Sequence, residues 1–372
     1  LSPGTAEGYS AAARELSRVF AEREERYDAE SLYPEANIRD LFDRGFFAST
    51  IPTELGGGGI SLPQYIDVVE HLAEGSPSTA LLYAMPSALV ALAAIPREFV
   101  PAQHRAAFEG QMEWIAREVE ARRIFAVANS EPGAGGRLSE TKSTAVHVAG
   151  TFRLTGRKSF CSFGPHAHFF MCAARNGTGP VDAFLVSREA PGLKLGDRWS
   201  ALGMRSTESV SLAMEDAPAE ALLGYPGMLE GHNMRHWSTL AFAAVFLGAG
   251  RALFDAVRFT SAARSALGQT WLAEFHLFLE AAGGFLRDTA GGETWPLSAE
   301  FKRRTLAVKT FVTQGVAEHA GRALTLGGGS AYTGYGPVQR LVRDAVAGPL
   351  LRPPLPFAYE TLNRELTEDE HA

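Results

Sequence analysis

Between about residues 124 and 223 the chain reads as a run of short strands with no helical crossover between neighbours, and this limits the possible folds more than any other feature. Apolar, β-branched and aromatic residues gather at 124–128, 143–148, 152–155, 168–174, 183–186 and 210–214, with turn residues between them. Parallel neighbours need a connection of about a dozen residues or more, usually a helix. The spacing therefore predicts a small antiparallel barrel or sandwich. A dinucleotide-binding doubly wound sheet is disfavoured, and no Gly-x-Gly-x-x-Gly follows a first strand.

Helical periodicity flanks this region on both sides. Leu16, Val19 and Phe20 share one face, and Ile38, Leu41 and Phe42 share another before Gly45. Ser61 reads as an N-cap with Pro63 in the first turn, ahead of a stripe of Ile66, Val69 and Leu72 that ends at Gly75. After Gly227 the helical pattern returns in long segments, roughly 230–264, 271–289, 297–326 and 336–348, which predict a four-helix bundle. Pro296 and Ser298 mark one helix start and Gly327 to Gly329 its stop. The expected class is α+β: an N-terminal helical domain over 1–120, a middle antiparallel β-barrel over 121–226 and a C-terminal four-helix bundle over 227–372. Between the first helices, Gly56 to Gly59 reads equally as a close backbone contact or as a flexible connection.

A length of 372 residues with 46% hydrophobic and 21% charged side chains suits an enzyme of two or three subdomains. The net charge of −7 gives no electrostatic footprint for nucleic acid or an anionic membrane. Small molecules and proteins are the expected partners. Cys161 and Cys172 lie in one expected antiparallel pair, which argues against a disulfide framework or a zinc site. The most apolar stretch, 80–95, is cut by Pro86 and Ser87 and reads as a buried helix rather than a membrane span. No signal peptide is visible, and a cytoplasmic location is expected.

Two stretches far apart carry the chemistry. Ser130-Glu131-Pro132-Gly133-Ala134-Gly135-Gly136 follows the first expected strand, and Leu326-Gly327-Gly328-Gly329-Ser330 closes a long helix ahead of Arg343-Asp344-Ala345. Glycines at such a turn let backbone N–H groups approach a flat ring or a pyrophosphate without a Cβ in the way. Together these runs resemble the flavin-binding frame of the acyl-CoA dehydrogenases, and so do the loop Ile51-Pro52-Thr53-Glu54-Leu55-Gly56-Gly57 and the helical, β, helical order over nearly the whole chain.

The resemblance implies FAD and assigns residues to it. Val127, Asn129 and Ser130 fall where the family contacts the flavin, and Gly136 falls near the pyrophosphate, where a serine is usual; the backbone donor is kept and a hydroxyl is lost. Phe160 and Ser162, in Leu154-Thr155-Gly156-Arg157-Lys158-Ser159-Phe160-Cys161-Ser162, take the places of an aromatic and a hydroxyl that flank the ring. Residues two apart on a strand point the same way; read without the resemblance, the segment is an alternating strand with Phe160 inward. Leu202-Gly203-Met204-Arg205 resembles the run leading into the last barrel strand, where Arg205 braces the barrel against a helix. Arg264 takes the place of an arginine that reaches the partner subunit's FAD pyrophosphate, with Leu267 in place of the usual aromatic, and Thr325, Gly328 and Gly329 fall where a partner's glutamine and glycines approach the rest of that cofactor. A homodimer or homotetramer is implied.

The implied reaction oxidises a CH–CH bond of an acyl thioester, carried by CoA or by a carrier protein. A glutamate takes the α-proton, flavin N5 takes the β-hydride, and electrons leave to an electron-transfer flavoprotein or to oxygen. This chain departs from the family at that glutamate. Its usual place after Arg343-Asp344-Ala345 holds Arg352, which stays protonated at neutral pH. A second family position, aligned through Phe246-Leu247-Gly248, holds Ser238. Phe357-Ala358-Tyr359-Glu360-Thr361 keeps the look of the base motif across a longer loop, so Glu360 is the candidate base, set against the plain reading of a solvated glutamate on a C-terminal helix. Trp237, Ser238 and Phe242 are substrate-side candidates; with Phe246 they also read as a core stripe. Two alternatives follow from the missing base. One is a flavin-dependent monooxygenase using Ser162 with His166, or His232 and His236; the other is an inactive partner subunit of an active homologue.

Overall fold

In the computed structural model, which describes residues 4, 6–134, 137–231, 235–334 and 336–368, the chain runs from helices through a sheet back to helices. The first part holds α1 (Ala6–Glu30), α2 (Glu35–Asp43), α3 (Leu62–Gly75), α4 (Pro77–Val90) and α5 (Arg105–Glu120). α3 starts where the sequence places it, because Ser61 and Gln64 cap each other's backbone in a reciprocal box. α4 is apolar on every side and buried along its length, the burial that such a helix requires. The glycine run is a close contact: a Cβ on Gly57 would lie 2.1 Å from the Ile51 carbonyl oxygen, so the loop folds back on itself only without a side chain there.

The second part is one mixed sheet of β1 (Phe125–Ala128), β2 (Thr144–Val148), β3 (Thr151–Cys161), β4 (Phe169–Asn176), β5 (Val181–Ser187), β6 (Leu193–Leu195), β7 (Val210–Pro218) and β8 (Ala221–Leu222). Its order is β6-β7-β3-β2-β4-β5-β8, with β1 paired to β4. Most pairings are antiparallel as expected, but β1 and β2 both run parallel to β4. The crossover rule is met in an unexpected way, since the chain between β1 and β4 is long enough because it is itself built into β2 and β3. β2 also separates β3 from β4, so Cys161 and Cys172 do not share an antiparallel pair. Both are free and buried, and burial pushes the Cys172 thiol up to about 12. Past β7, Ala219 N–H donates to the Phe152 carbonyl and Leu223 N–H to that of Ala183, which ties β3 towards β5 and curls the sheet.

The third part holds α6 (Met228–Gly231), α7 (His236–Val257), α8 (Ala266–Gly291), α9 (Ala299–Thr333), α10 (Pro337–Ala345) and α11 (Leu355–Glu368). α7 is the central post and packs on α3, α4, α8, α9 and α10. Pro77–Ala94 and His236–Val257 are both long and apolar enough to cross a membrane by composition, yet 89% and 67% of those stretches are buried inside the fold. α9 does not stop at its glycines: Gly328 takes φ 72° and ψ −170°, and the helix resumes beyond that kink to Thr333.

Two sequence motifs lock the three parts together. Arg343 on α10 pairs through both terminal nitrogens with Asp28 on α1 and donates to the Leu202 carbonyl at 2.9 Å. Asp344 accepts from the Met204 N–H at 2.5 Å, and Arg205 donates to the Asp28 carbonyl at 2.8 Å, which is the bracing role expected of it.

Candidate active site

Where the sheet, α4, α7 and the segment after α10 meet, they enclose a cavity of about 960 Å³. That lies in the upper range for small-molecule and cofactor sites. One wall comes from the sheet. Val127, at the end of β1, and Asn129 and Ser130 beyond it face the cavity, as the sequence placed them. The turn that follows is fixed from behind by a buried ion pair: Lys158 Nζ lies 2.5 Å from Glu131 Oε1, with side-chain exposures of 0% and 4%. Glu131 also accepts from the N–H groups of Lys142 and Ser143 at 2.7 and 3.1 Å. Ser159 N–H donates to the Ser130 carbonyl at 2.9 Å and completes the join between turn and strand. Gly136 lies outside the described residues.

Phe160 and Ser162 both line the cavity, but not by strand alternation. The β3–β7 register slips between Lys158 and Cys161, and Phe160 sits in that bulge at φ 57°. A non-glycine residue in the left-handed region is costly and is kept where surrounding structure holds it. Here it turns the ring out to 63% exposure, edge-on to Trp199 at 6.1 Å, instead of inward to the core. Ser162 belongs to a hydroxyl chain: its Oγ is 2.9 Å from that of Ser209, which is 2.7 Å from Thr207 Oγ1. The wall thus offers what a flavin needs: an aromatic face, hydroxyl and amide groups for the polar ring edge, and apolar contacts from Val127, Leu89 and Met85. The residues present fit that group.

The rest of the wall comes from the helices and from the segment after α10. Arg352, at the family's base position, does face the cavity, and its Nη1 donates to the Asn129 carbonyl. Its loop is held by Lys309, buried on α9, whose Nζ donates to the carbonyls of Leu351 and Pro353 on either side of Arg352, at 2.7 and 2.8 Å. Burial pulls the Lys309 ammonium down to about 8. Ser238 and Phe242 line the cavity as expected. Trp237 does not; it is buried against Tyr65 and donates to Glu293 at 2.9 Å, because its place on α7 points it away from the sheet. Phe246 is fully buried in the core.

Glu360 is not brought to this wall. It sits on exposed α11, its carboxylate pairs with Arg137, and its side chain is 61% exposed, so the burial that would tune a catalytic carboxylate is missing. His166 is likewise elsewhere, stacked on Tyr33 at 3.7 Å and 2.8 Å from Glu208, and His232 is outside the described residues. Trp199 and Arg235, which no local pattern marked, face the cavity, and so does His236, which the sequence offered only for the monooxygenase alternative. His236 Nε2 is 2.6 Å from Glu293 Oε1, a partner just past the end of α8. Only the position of His236 at the head of the first bundle helix offered a clue.

Arg264, Thr325, Gly328 and Gly329 are exposed and lie outside this cavity. The Thr325 hydroxyl donates to its own helix at Gly321. Among the described residues no group of His, Cys, Asp and Glu is arranged to hold a metal ion.

Comparison with known proteins agrees with this geometry. Residues 7–107 match the acyl-CoA dehydrogenase N-terminal domain and residues 126–217 the middle domain of the same family. The chain belongs to the acyl-CoA dehydrogenase family. As members of a flavoenzyme family, its relatives fall on both sides of the question raised by the missing glutamate. The short-chain specific acyl-CoA dehydrogenase of Bos taurus mitochondria is 26% identical over 89% of this chain and 84% of its own length. The amino sugar nitrososynthase RubN8 of Streptomyces rubradiris is 29% identical over 91% and 84%. The crystal structure of KijD3 with FMN and a dTDP-amino-keto sugar superposes with a TM-score of 0.85, covering 99% of this chain and 95% of that one at 21% identity, and so shares the fold. This acyl-CoA dehydrogenase-type chain thus pairs the fold of a flavoenzyme family with a cavity whose sheet wall fits a flavin and whose one lining carboxylate among the described residues is Glu131.

Proposed function

We propose that the protein is an FAD-dependent dehydrogenase of an acyl thioester, carried by CoA or by a carrier protein, in which His236 takes the α-proton that the family assigns to a glutamate. The observation that carries this reading is the His236–Glu293 pair on the cavity wall, where the one lining carboxylate among the described residues, Glu131, is already held by Lys158. A carboxylate on Nε2–H fixes the imidazole tautomer, makes Nδ1 the basic nitrogen and stabilises the ring once it is protonated. The flavin, when bound, supplies the hydride acceptor. The chain's own part is to orient and to move one proton: Phe160 and Trp199 give the ring an aromatic border, the Ser162–Ser209–Thr207 hydroxyls give its polar edge partners, and α4 contributes Met85 and Leu89 as an apolar, water-excluding side. The exposure of Arg264, Gly328 and Gly329, residues that the family resemblance assigns to a partner's cofactor, supports FAD over FMN and a homodimer or homotetramer. Electrons then pass to an electron-transfer flavoprotein or to oxygen.

A second reading, flavin-dependent monooxygenation, is favoured by the absence of an unpaired carboxylate among the described residues of the cavity and by the likeness to RubN8. Anaerobic titration separates the two. In the first reading an acyl-CoA bleaches the visible absorbance of the holoprotein without oxygen, and His236→Asn keeps its flavin but loses the bleaching. If no acyl thioester bleaches the flavin, and an external reductant with oxygen yields a hydroxylated product, the second reading replaces it. A purified protein that stays colourless with added FAD and FMN would instead favour the inactive-subunit reading.

A further inference from the structure

The charge on the cavity wall is one-sided. Arg137, Arg235, Lys302, Arg343, Arg352 and Arg364 line it against the single carboxylate of Glu131. Arg343 is paired with Asp28, Arg137 with Glu360, and Glu131 with Lys158. Arg352 donates through Nη1 to the Asn129 carbonyl and has no carboxylate in that bond. Arg235 immediately precedes His236 and α7, Arg352 stands on the loop pinned by Lys309, and both face the same space. Arg235 has no hydrogen bond or ion pair from its guanidinium within the described residues. Burial lowers the pKa of both; for Arg352, pulled down to about 10, the nearby positive charge of Arg235 adds to the effect.

Two guanidinium groups held largely out of water on the wall of one cavity carry a desolvation and repulsion cost that no described acidic side chain offsets at Arg235. An oxyanion between them removes that cost, and the planar fork of arginine suits a carboxylate in a bidentate contact that lysine does not reproduce. The remaining lining beside them, Leu306, Val346 and Leu350, is apolar and takes methylene groups.

We propose that Arg235 and Arg352 form a clamp for a carboxylate carried on the substrate's acyl chain, so that the thioesters this site selects are half-esters of dicarboxylic acids. The proposal rests on the dehydrogenase reading above for the identity of the thioester, while the clamp itself is tested by binding. The holoprotein is titrated calorimetrically under anaerobic conditions with adipoyl-CoA and with hexanoyl-CoA, which differ only at the end of the chain, and flavin absorbance is recorded separately. The clamp requires adipoyl-CoA to bind about tenfold tighter or more, a preference that Arg235→Gln and Arg352→Gln each cut to about threefold or less with hexanoyl-CoA affinity and flavin content unchanged. Arg235→Lys falls between. Equal binding of the two thioesters by the unaltered protein overturns the proposal, and so does a preference that survives both glutamine variants. Loss of flavin from either variant also overturns it, by assigning the arginines to the cofactor's phosphates. Preferential binding of adipoyl-CoA with no bleaching by either thioester upholds the clamp and overturns the dehydrogenase reading instead.

Discussion

Replacing Lys158 with methionine tests whether the buried pair behind the Ser130–Gly136 turn is what sets the flavin wall. With the ammonium gone, Glu131 keeps its two backbone donors, Lys142 and Ser143, but is left as a carboxylate with 4% exposure and no counter-charge. Removing one partner of a buried pair costs about 3–5 kcal/mol. The surviving N–H bonds place this case near the lower end, about 3 kcal/mol. With a urea slope of roughly 3 kcal/mol per molar, the unfolding midpoint falls by about 1 M. The pH dependence has a definite sign. In the native protein burial raises the Glu131 pKa and Lys158 more than reverses it, so the carboxyl is held low; its stabilisation is full above the unfolded value of 4.5 and is lost as pH falls through the lower folded value. In Lys158→Met the carboxyl is raised instead, so the deficit is largest near neutrality and narrows as acid protonates Glu131. The double variant Lys158→Met/Glu131→Gln recovers much of the loss, since neither charge is then stranded. Urea titrations of the holoproteins at two pH values, with flavin affinity measured alongside, check all three points. A single variant within about 1 kcal/mol of the parent, with unchanged flavin affinity, would refute the reasoning.

Other perturbations have equally definite outcomes. Burial raises the Glu24 carboxyl, on α1, from its usual 4.5 to about 7; an acid raised on folding is stabilising below the unfolded value and loses that contribution as pH climbs to the folded one, so stability falls by roughly 3 kcal/mol between pH 4.5 and 7, and Glu24→Gln removes that slope. Gly203→Ala would set a Cβ 2.0 Å from the Arg343 carbonyl oxygen; separating the sheet from α10 costs 1–3 kcal/mol by the usual scale of overpacking, about 2, read as a drop in melting temperature. Lys309→Met frees the carbonyls on both sides of Arg352, and the adipoyl-CoA preference falls with it while hexanoyl-CoA binding holds, by calorimetry. Glu360→Gln, on an exposed helix, leaves the anaerobic rate of flavin reduction within about twofold of the parent; a loss of a hundredfold or more would return it to the role of base.

What was legible in the sequence and what was not divide along a physical line. Where the backbone alone decides, local residues announced the outcome: Ser61 opened α3, the mostly apolar 80–95 stretch went to the core, and of the two readings left open for the 56–59 glycines the close approach holds at Gly57 and Gly58. Val127, Asn129 and Ser130, placed by resemblance, do line the cavity because they sit at one strand end. Alternation failed at Phe160 because it assumes an unbroken ladder, and the extra residue of a bulge reverses which face a side chain meets. The parallel pairings of β4 were hidden because strands, not a helix, made the crossover. The base wall was the least legible part, and necessarily so. His236 meets Glu293 across 57 residues, and Arg235 and Arg352 reach one cavity from separate elements, so neither pair leaves a periodic or spacing signal in the chain. Counting from Arg343-Asp344-Ala345 found the position where the family's base is gone. Only the convergence of α7, the α8–α9 connection and the Lys309-pinned loop puts a histidine–carboxylate pair and two arginines there in its place, so the departure reads as a change in what the cavity binds and how it moves a proton rather than as a simple loss.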